Sequence, residues 1–294
     1  MASNDESLSR VLIQLHALAR KLEGEGQYNV AKLGRAAADS MLRSSAYAVE
    51  LSSKKDKLAE AVIGIAEELS RFDLEVDLIQ ALRRGASAMV EGRLPMIDET
   101  PHPYVCRTCG HIKMDHPGSN CPVCGARPRT FQRYLPVYWL EAMDPIEAMN
   151  WLRKTPDEVK NLIEGVSEEA LNRRPTEGEW NTRNVLSHLR DAQGVLDYRV
   201  NLLLNEDDPV IESKAVFEWA RDETDRPPNA EQLFETYLAS RRKTLSVLEG
   251  IHLVDWWREG RHEEFGVVSI RQQASYFATH ELTHLPQIEE LRRM

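Results

Sequence analysis

The sequence predicts a mainly α-helical protein in three parts: a helical N-terminal region, a small cysteine-bearing metal module and a C-terminal four-helix bundle. Three observations carry this. Apolar residues recur every three or four positions over long stretches on both sides of the middle of the chain, as amphipathic helices require. All four cysteines lie between Cys106 and Cys124, in a short stretch rich in Gly and Pro. Strand-like alternation is nearly absent outside that stretch.

A chain of 294 residues has room for two ordinary domains, or one with smaller modules. With 42% apolar and 29% charged residues it has the composition of a globular protein that can bury a core. The net charge of −10, without a basic patch, argues against nucleic acid as a partner. The opening residues, "MASNDESLSR", lack the basic start and apolar core of a signal peptide. No apolar run approaches the roughly 20 residues needed to span a bilayer. A cytoplasmic location without membrane contact is therefore expected, and there close cysteine pairs read as metal ligands rather than disulfides.

From residue 5 to about 92 the pattern is helical throughout. Leu8, Leu12, Leu15, Leu18 and Leu22 mark the first helix, and Val30, Leu33, Ala37 and Met41 the second, with "EGEGQ" breaking them apart. A third helix runs from Leu58 through Ile65 to Leu69, and a fourth from Leu74 through Leu82 to Val90. These four could form a small bundle, which "GRLPMIDETPHP" ends with proline punctuation. The domain boundaries expected are 1–98, 99–136 and 137–294.

The cysteine module reads "YVCRTCGHIKMDHPGSNCPVCGARP", a C-x2-C-x11-C-x2-C pattern with Gly110 and Gly125 directly after each pair. A glycine there permits the tight knuckle that turns both thiolates of a pair onto one metal. Cys106, Cys109, Cys121 and Cys124 would close a tetrahedral site for zinc or iron, and spacing does not choose between the two.

Beyond it, helices return. Thr155-Pro156-Asp157-Glu158 has the form of a helix start, with a capping hydroxyl, a proline at the first helical position and a carboxylate three residues after the cap. Further starts are legible at Asn181/Thr182, Asn229 and Ser269. About four helices are expected between Asp144 and Arg293, with a long connection at 205–228, and a four-helix bundle is the natural arrangement.

Near the end stands His280-Glu281-Leu282-Thr283-His284, the H-E-x-x-H of a zinc peptidase helix. A peptidase needs a third ligand, usually downstream, where only ten residues remain and Pro286 interrupts. An upstream ligand is available. His188 shares a helical side with Val185, Ala192, Leu196 and Leu203, while Phe277, His280, His284, Ile288 and Leu291 share one face of the last helix. Three imidazoles from two helices would make a tripod that leaves positions open at a metal.

Three stretches of the C-terminal part, "TPDEVKNLIEGVSEEALNRRPTEGEWNTRNVLSHLRDAQ", "LFETYLASRRKTLSVLEGI" and "RHEEFGVVSIRQQASYFATHELTHLPQIEELRR", together resemble the DinB-like (DinB/YfiT) superfamily over residues 140–294. The resemblance implies a DinB-like four-helix bundle whose metal triad falls on His188, His280 and His284, with a divalent metal such as zinc or nickel. It implies a homodimer and a small-molecule or low-molecular-weight thiol substrate, handled by a metal-dependent thiol transferase or related hydrolase. Glu281 and Asp191 are candidate catalytic residues in support, Glu281 as acid or base and Asp191 as the orienting partner of His188. His262 stands where related sequences often carry His. Trp180, Trp256 and Trp257 are read as core and turn packing.

The cysteine module, with Tyr104 before the first pair and "CPVCG" as the second, resembles the rubredoxin-like domain of rubrerythrins. Upstream, "ARKLEGEGQYNVAKLGRAAADSMLRSSAYA" resembles the junction of the first two helices of their ferritin-like domain. In that register the iron-ligand positions fall on Leu8, Met41 and Ser44, which cannot hold iron, and His16 is read as a partly buried helix residue. The resemblance thus implies a degenerate ferritin-like domain. The alternative function is a non-enzymatic rubredoxin-like redox or stress-response protein using the four-cysteine centre.

Overall fold

Helices α1 (Ala2–Gly24) and α2 (Tyr28–Tyr47) meet at a turn where Gly26 adopts φ 75°, a conformation open to glycine, and Gln27 N–H donates back to the Leu22 carbonyl at 2.8 Å. Their seam is built from Ala19, Ala31 and Ala38, all fully buried. Helices α3 (Lys55–Leu69) and α4 (Val76–Val90) pack on each other in the same way, through Ala59, Ala66, Ala81, Ala86 and Ala88. The expected helices are present, but much of their leucine stripe is not the seam. Leu18, Val30, Leu33, Ile65 and Val90 are each more than half exposed. Two helices touch along a narrow line where small side chains allow close approach, and larger flanking residues stay outside it. His16, expected to be partly buried, is exposed.

These details come from a computed structural model that describes residues 2–52, 54–72, 74–177, 179–213 and 229–294. The chain divides into two compact units, Met1–Pro95 with Pro103–Arg133, and Met96–His102 with Tyr134–Met294. In the first, the helical hairpins are followed by a small sheet of order β2-β1-β3, formed by β1 (Pro103–Cys106), β2 (Ile112–Met114) and β3 (Phe131–Arg133), all antiparallel. Phe131 packs with Cys106 and Cys121 beneath it.

The second unit is a four-helix bundle of α5 (Pro145–Ile163), α7 (Thr182–Asn205), α8 (Ala230–Gly250) and α9 (Ile270–Arg292), with the short α6 (Glu168–Leu171) between the first two. Starts at Asn181, Asn229 and Ser269 are as the sequence indicates. Each side chain accepts from the backbone N–H three residues on, and each helix has a reciprocal capping box. The start expected at Thr155 is displaced: α5 begins at Pro145, capped by Asp144, and continues through Pro156. Proline removes the N–H that would serve the Leu152 carbonyl. Arg241 of α8 supplies the missing donor from Nη1 at 2.7 Å, so the helix runs on.

α7 packs against α8 and α9, and α5 against α9 and α8. One apolar cluster gathers Leu152, Leu196, Leu203, Trp256 and Phe277, and another gathers Val159, Leu189, Leu233, Tyr237 and Ile288. A second sheet corrects the expectation that strands are confined to the cysteine module. It has the order β4-β5-β6, from β4 (Val210–Ile211), β5 (Glu259–His262) and β6 (Gly266–Ser269). These strands, two to four residues long, are too short to show a period. Gly260 is required there, because a Cβ would lie 2.9 Å from Leu203 Cδ2 and from the Pro209 carbonyl oxygen. β4 occupies part of the long connection expected at 205–228, and residues 214–228 of that connection lie outside the described ones. Among the described residues, no helix is long and apolar enough to cross a membrane.

Candidate metal centres

The four cysteines converge. Their sulfurs lie within 4.8 Å of one another, with Cys106 Sγ 3.7 Å from Cys124 Sγ and Cys109 Sγ 3.6 Å from Cys121 Sγ. The backbone shows how. Gly110 N–H donates to the Cys106 carbonyl and Gly125 N–H to the Cys121 carbonyl, each at 2.8 Å, with both glycines at positive φ (81° and 73°). Two matching knuckles thus aim two thiols each at a common point. All four cysteines are free, and a tetrathiolate donor set suits zinc or iron.

The three histidines converge as well. His188 comes from α7, and His280 and His284 from successive turns of α9. Nε2 of His280 lies 3.0 Å from Nε2 of His188 and 3.2 Å from Nε2 of His284. Such spacings suit ligands sharing one ion at about 2.0–2.1 Å. The protonation states fit too. Burial, reinforced by the neighbouring imidazoles, pushes His188 down to about 4 and His280 down to about 3, so both are neutral at pH 7. His284 Nδ1 lies 2.9 Å from Gln287 Oε1, a pure acceptor, which places the proton on Nδ1 and leaves the Nε2 lone pair for a metal.

Glu281 is held elsewhere. One residue along a helix turns the side chain by about 100°, and Glu281 is completely buried on the α8 side. Its Oε1 accepts from Arg241 Nη2 and its Oε2 from the Tyr237 hydroxyl at 3.1 Å. Arg241, itself buried, also donates from Nε to Gln193 Oε1 at 2.5 Å. Burial and the Glu281 carboxylate together push the Tyr237 hydroxyl well above its ordinary value, which keeps it a donor. Asp191, expected to orient His188, has its Oδ1 2.8 Å from Arg190 Nε. Neither carboxylate belongs to the cluster of atoms that the three imidazoles form.

Aromatic rings wall the triad. Trp180, expected to serve turn packing, is 43% exposed and stands 5.1 Å from the His188 ring and 6.4 Å from the His284 ring, beside the triad. Trp256 is buried in the core as expected, and Trp257 lies under the Arg271 guanidinium at 5.7 Å. Trp139 and Tyr276, which sequence reasoning passed over, pack against His280 at 5.3 and 6.0 Å. Tyr276 was legible in principle, lying four residues before His280 on the same helix. Trp139 was not, because it arrives from a short 3-10 turn (Tyr138–Leu140) with no periodic pattern. A cavity of about 300 Å³ opens beside Trp180 and Gln287, lined also by Pro175, Glu179, Glu290 and Leu291. His262 is buried on β5, with its Nε2 2.8 Å from Arg199 Nη2.

Residues 152–288 match the model of the DinB superfamily. The chain is 28% identical over 145 residues to an Oceanobacillus iheyensis protein named "putative metal-dependent hydrolase", a match spanning 49% of this chain and 84% of that protein. It is 29% identical over 153 residues to the uncharacterized protein YuaE of Bacillus subtilis, spanning 46% of this chain and 91% of that one. A solved structure, that of YfiT from Bacillus subtilis, described as "a probable metal-dependent hydrolase with an unusual four-helix bundle topology", aligns with a TM-score of 0.47 at 19% identity. That alignment spans 54% of this chain and 92% of YfiT.

Proposed function

We propose that the DinB superfamily domain at residues 152–288 is a metal-dependent enzyme acting on a small molecule, as a hydrolase or a transferase that uses a low-molecular-weight thiol. The observation that carries this is the convergence of three imidazole Nε2 atoms from two helices with no carboxylate among them. The metal-dependent names of relatives from Oceanobacillus and Geobacillus support it. A divalent ion such as zinc or nickel held there supplies Lewis acidity, the means of making a nucleophile at neutral pH.

The chain's own residues prepare the site. Burial keeps His188 and His280 unprotonated, Gln287 selects the tautomer of His284, and Trp139, Trp180 and Tyr276 pack around the three imidazoles. The open side beside Trp180 admits the substrate. The engagement of Glu281 by Arg241 and Tyr237 supports reading H-E-x-x-H as two ligands with a structural glutamate between them, not as a peptidase motif.

In this reading the four-cysteine module holds zinc or iron as an appendage, and the chain is a homodimer. An electron-carrying role for the four-cysteine centre is the second reading, favoured by the exposure of Cys109 and Cys124, which puts the centre at a surface. Elemental analysis separates these. The enzyme reading expects two metal sites per chain, with His188→Ala and His280→Ala each removing one metal and sparing the other. Unchanged metal content in both variants would overturn it. A red protein with one iron per chain, bound by the cysteines alone, would favour the second reading.

A further inference from the structure

Up the bundle from the triad lies a cluster with too many donors. Gln273 precedes His280 by seven residues on α9, about 10 Å along the helix, and Arg199 of α7 meets it there. Arg199 is only 6% exposed, and arginine stays protonated at neutral pH even where burial lowers its pKa. Its hydrogen-bond partners among the described residues are both neutral: Nη1 donates to Gln273 Oε1 at 3.2 Å, and Nη2 stands 2.8 Å from His262 Nε2. Glu264 acts on it only through space, its Oε2 being the acceptor of the Ser213 hydroxyl. No carboxylate reaches Arg199 by a hydrogen bond among the described residues.

Three further observations point the same way. Gln273 is fully buried, and because its Oε1 faces Arg199, its Nε2 faces away and has no acceptor among the described residues. His262 meets donors on both ring nitrogens, Arg199 at Nε2 and the Glu264 and Phe265 N–H groups at Nδ1 (3.1 and 3.2 Å). A neutral imidazole accepts at one nitrogen only, so one of those donors is left over. Trp139 Nε1, whose ring packs against both Tyr276 and His280, is buried without an acceptor among the described residues as well. Buried donors are nearly always paired, and a surplus of them around a cation that no carboxylate reaches by a hydrogen bond among the described residues suits an oxyanion, which accepts several charge-assisted hydrogen bonds.

We propose that Arg199, Gln273 and His262 bind the carboxylate or phosphate group of the substrate, whose reacting end lies at His188, His280 and His284. The word substrate here rests on the enzyme reading above, whereas anion binding itself does not. The test uses the metal-loaded full chain and follows thermal unfolding with inorganic phosphate and with succinate, against chloride at equal ionic strength.

At least one of the two oxyanions raises Tm in a concentration-dependent way, and the one that does so identifies the chemistry. Arg199→Met loses the shift and keeps its metal. Gln273→Leu weakens the apparent affinity several-fold. His188→Ala loses its metal but retains the shift, so failure of the metal reading and failure of the anion site are distinguishable. Absence of any shift in the wild type, or a shift that survives in Arg199→Met, overturns the proposal.

Discussion

Glu281 stands between two histidines that face the triad and points the other way, into a network with Arg241, Tyr237 and Gln193. A residue in that position is an anchor for the turn that carries both ligands. Glu281→Gln would leave the Arg241 cation buried without its counter-ion, a loss of about 3–5 kcal/mol. Urea unfolding is expected to show that loss with metal content retained, and an unchanged midpoint together with lost activity would instead make Glu281 catalytic.

The histidines carry a pH signature of their own. The ordinary histidine value is 6.5, and the fold holds His188 near 4 and His280 near 3. Between those limits the unfolded chain binds protons that the folded one refuses, so stability is fully present above pH 6.5 and declines as pH falls toward 4. Each such histidine contributes up to about 1.4 kcal/mol per pH unit in that window. Urea unfolding of metal-free protein in a chelator should show the decline, and a flat profile from pH 7 to 4.5 would contradict it.

At the scale of elements, α5 is the case where local signals and the fold disagree. Thr155-Pro156 has the chemistry of a helix start, yet the helix passes through it because a guanidinium from α8 serves the carbonyl that proline orphans. The two residues should therefore be coupled. Arg241→Met is expected to destabilise strongly, and the loss should be smaller by about 1 kcal/mol in a Pro156→Ala background, where the helix has its own donor again. A double-mutant cycle with strictly additive changes would refute this account. The caps of α7, α8 and α9 show the opposite case, since Asn181, Asn229 and Ser269 each act on a backbone group three residues away and need no tertiary help.

For the whole molecule, the informative feature is the contrast between its two helical regions. The C-terminal bundle buries Leu152, Leu189, Leu196 and Phe277 completely or nearly so. The N-terminal hairpins bury mainly alanine and leave Ile13, Leu18, Leu33 and Leu42 more than half exposed. With the homodimer proposed above, light scattering should give twice the chain mass, and Leu18→Glu with Leu33→Glu should lower it to one chain while leaving metal content unchanged. A monomeric wild type would remove the dimer from the reading.

The sequence by itself determined whatever depends on spacing and local chemistry: the helical class, three of the helix starts, the C-x2-C knuckles and the pairing of His280 with His284 one turn apart. It also singled out His188, because an apolar stripe tells which way a helix faces. Only the tertiary structure decided where α5 begins, which side Glu281 serves, that Trp139 and Trp180 wall the triad, and that Arg199, Gln273 and His262 meet. Those outcomes turn on groups from different elements satisfying or failing to satisfy one another at hydrogen-bond range. The identity of such partners is a property of packing, which no local period encodes.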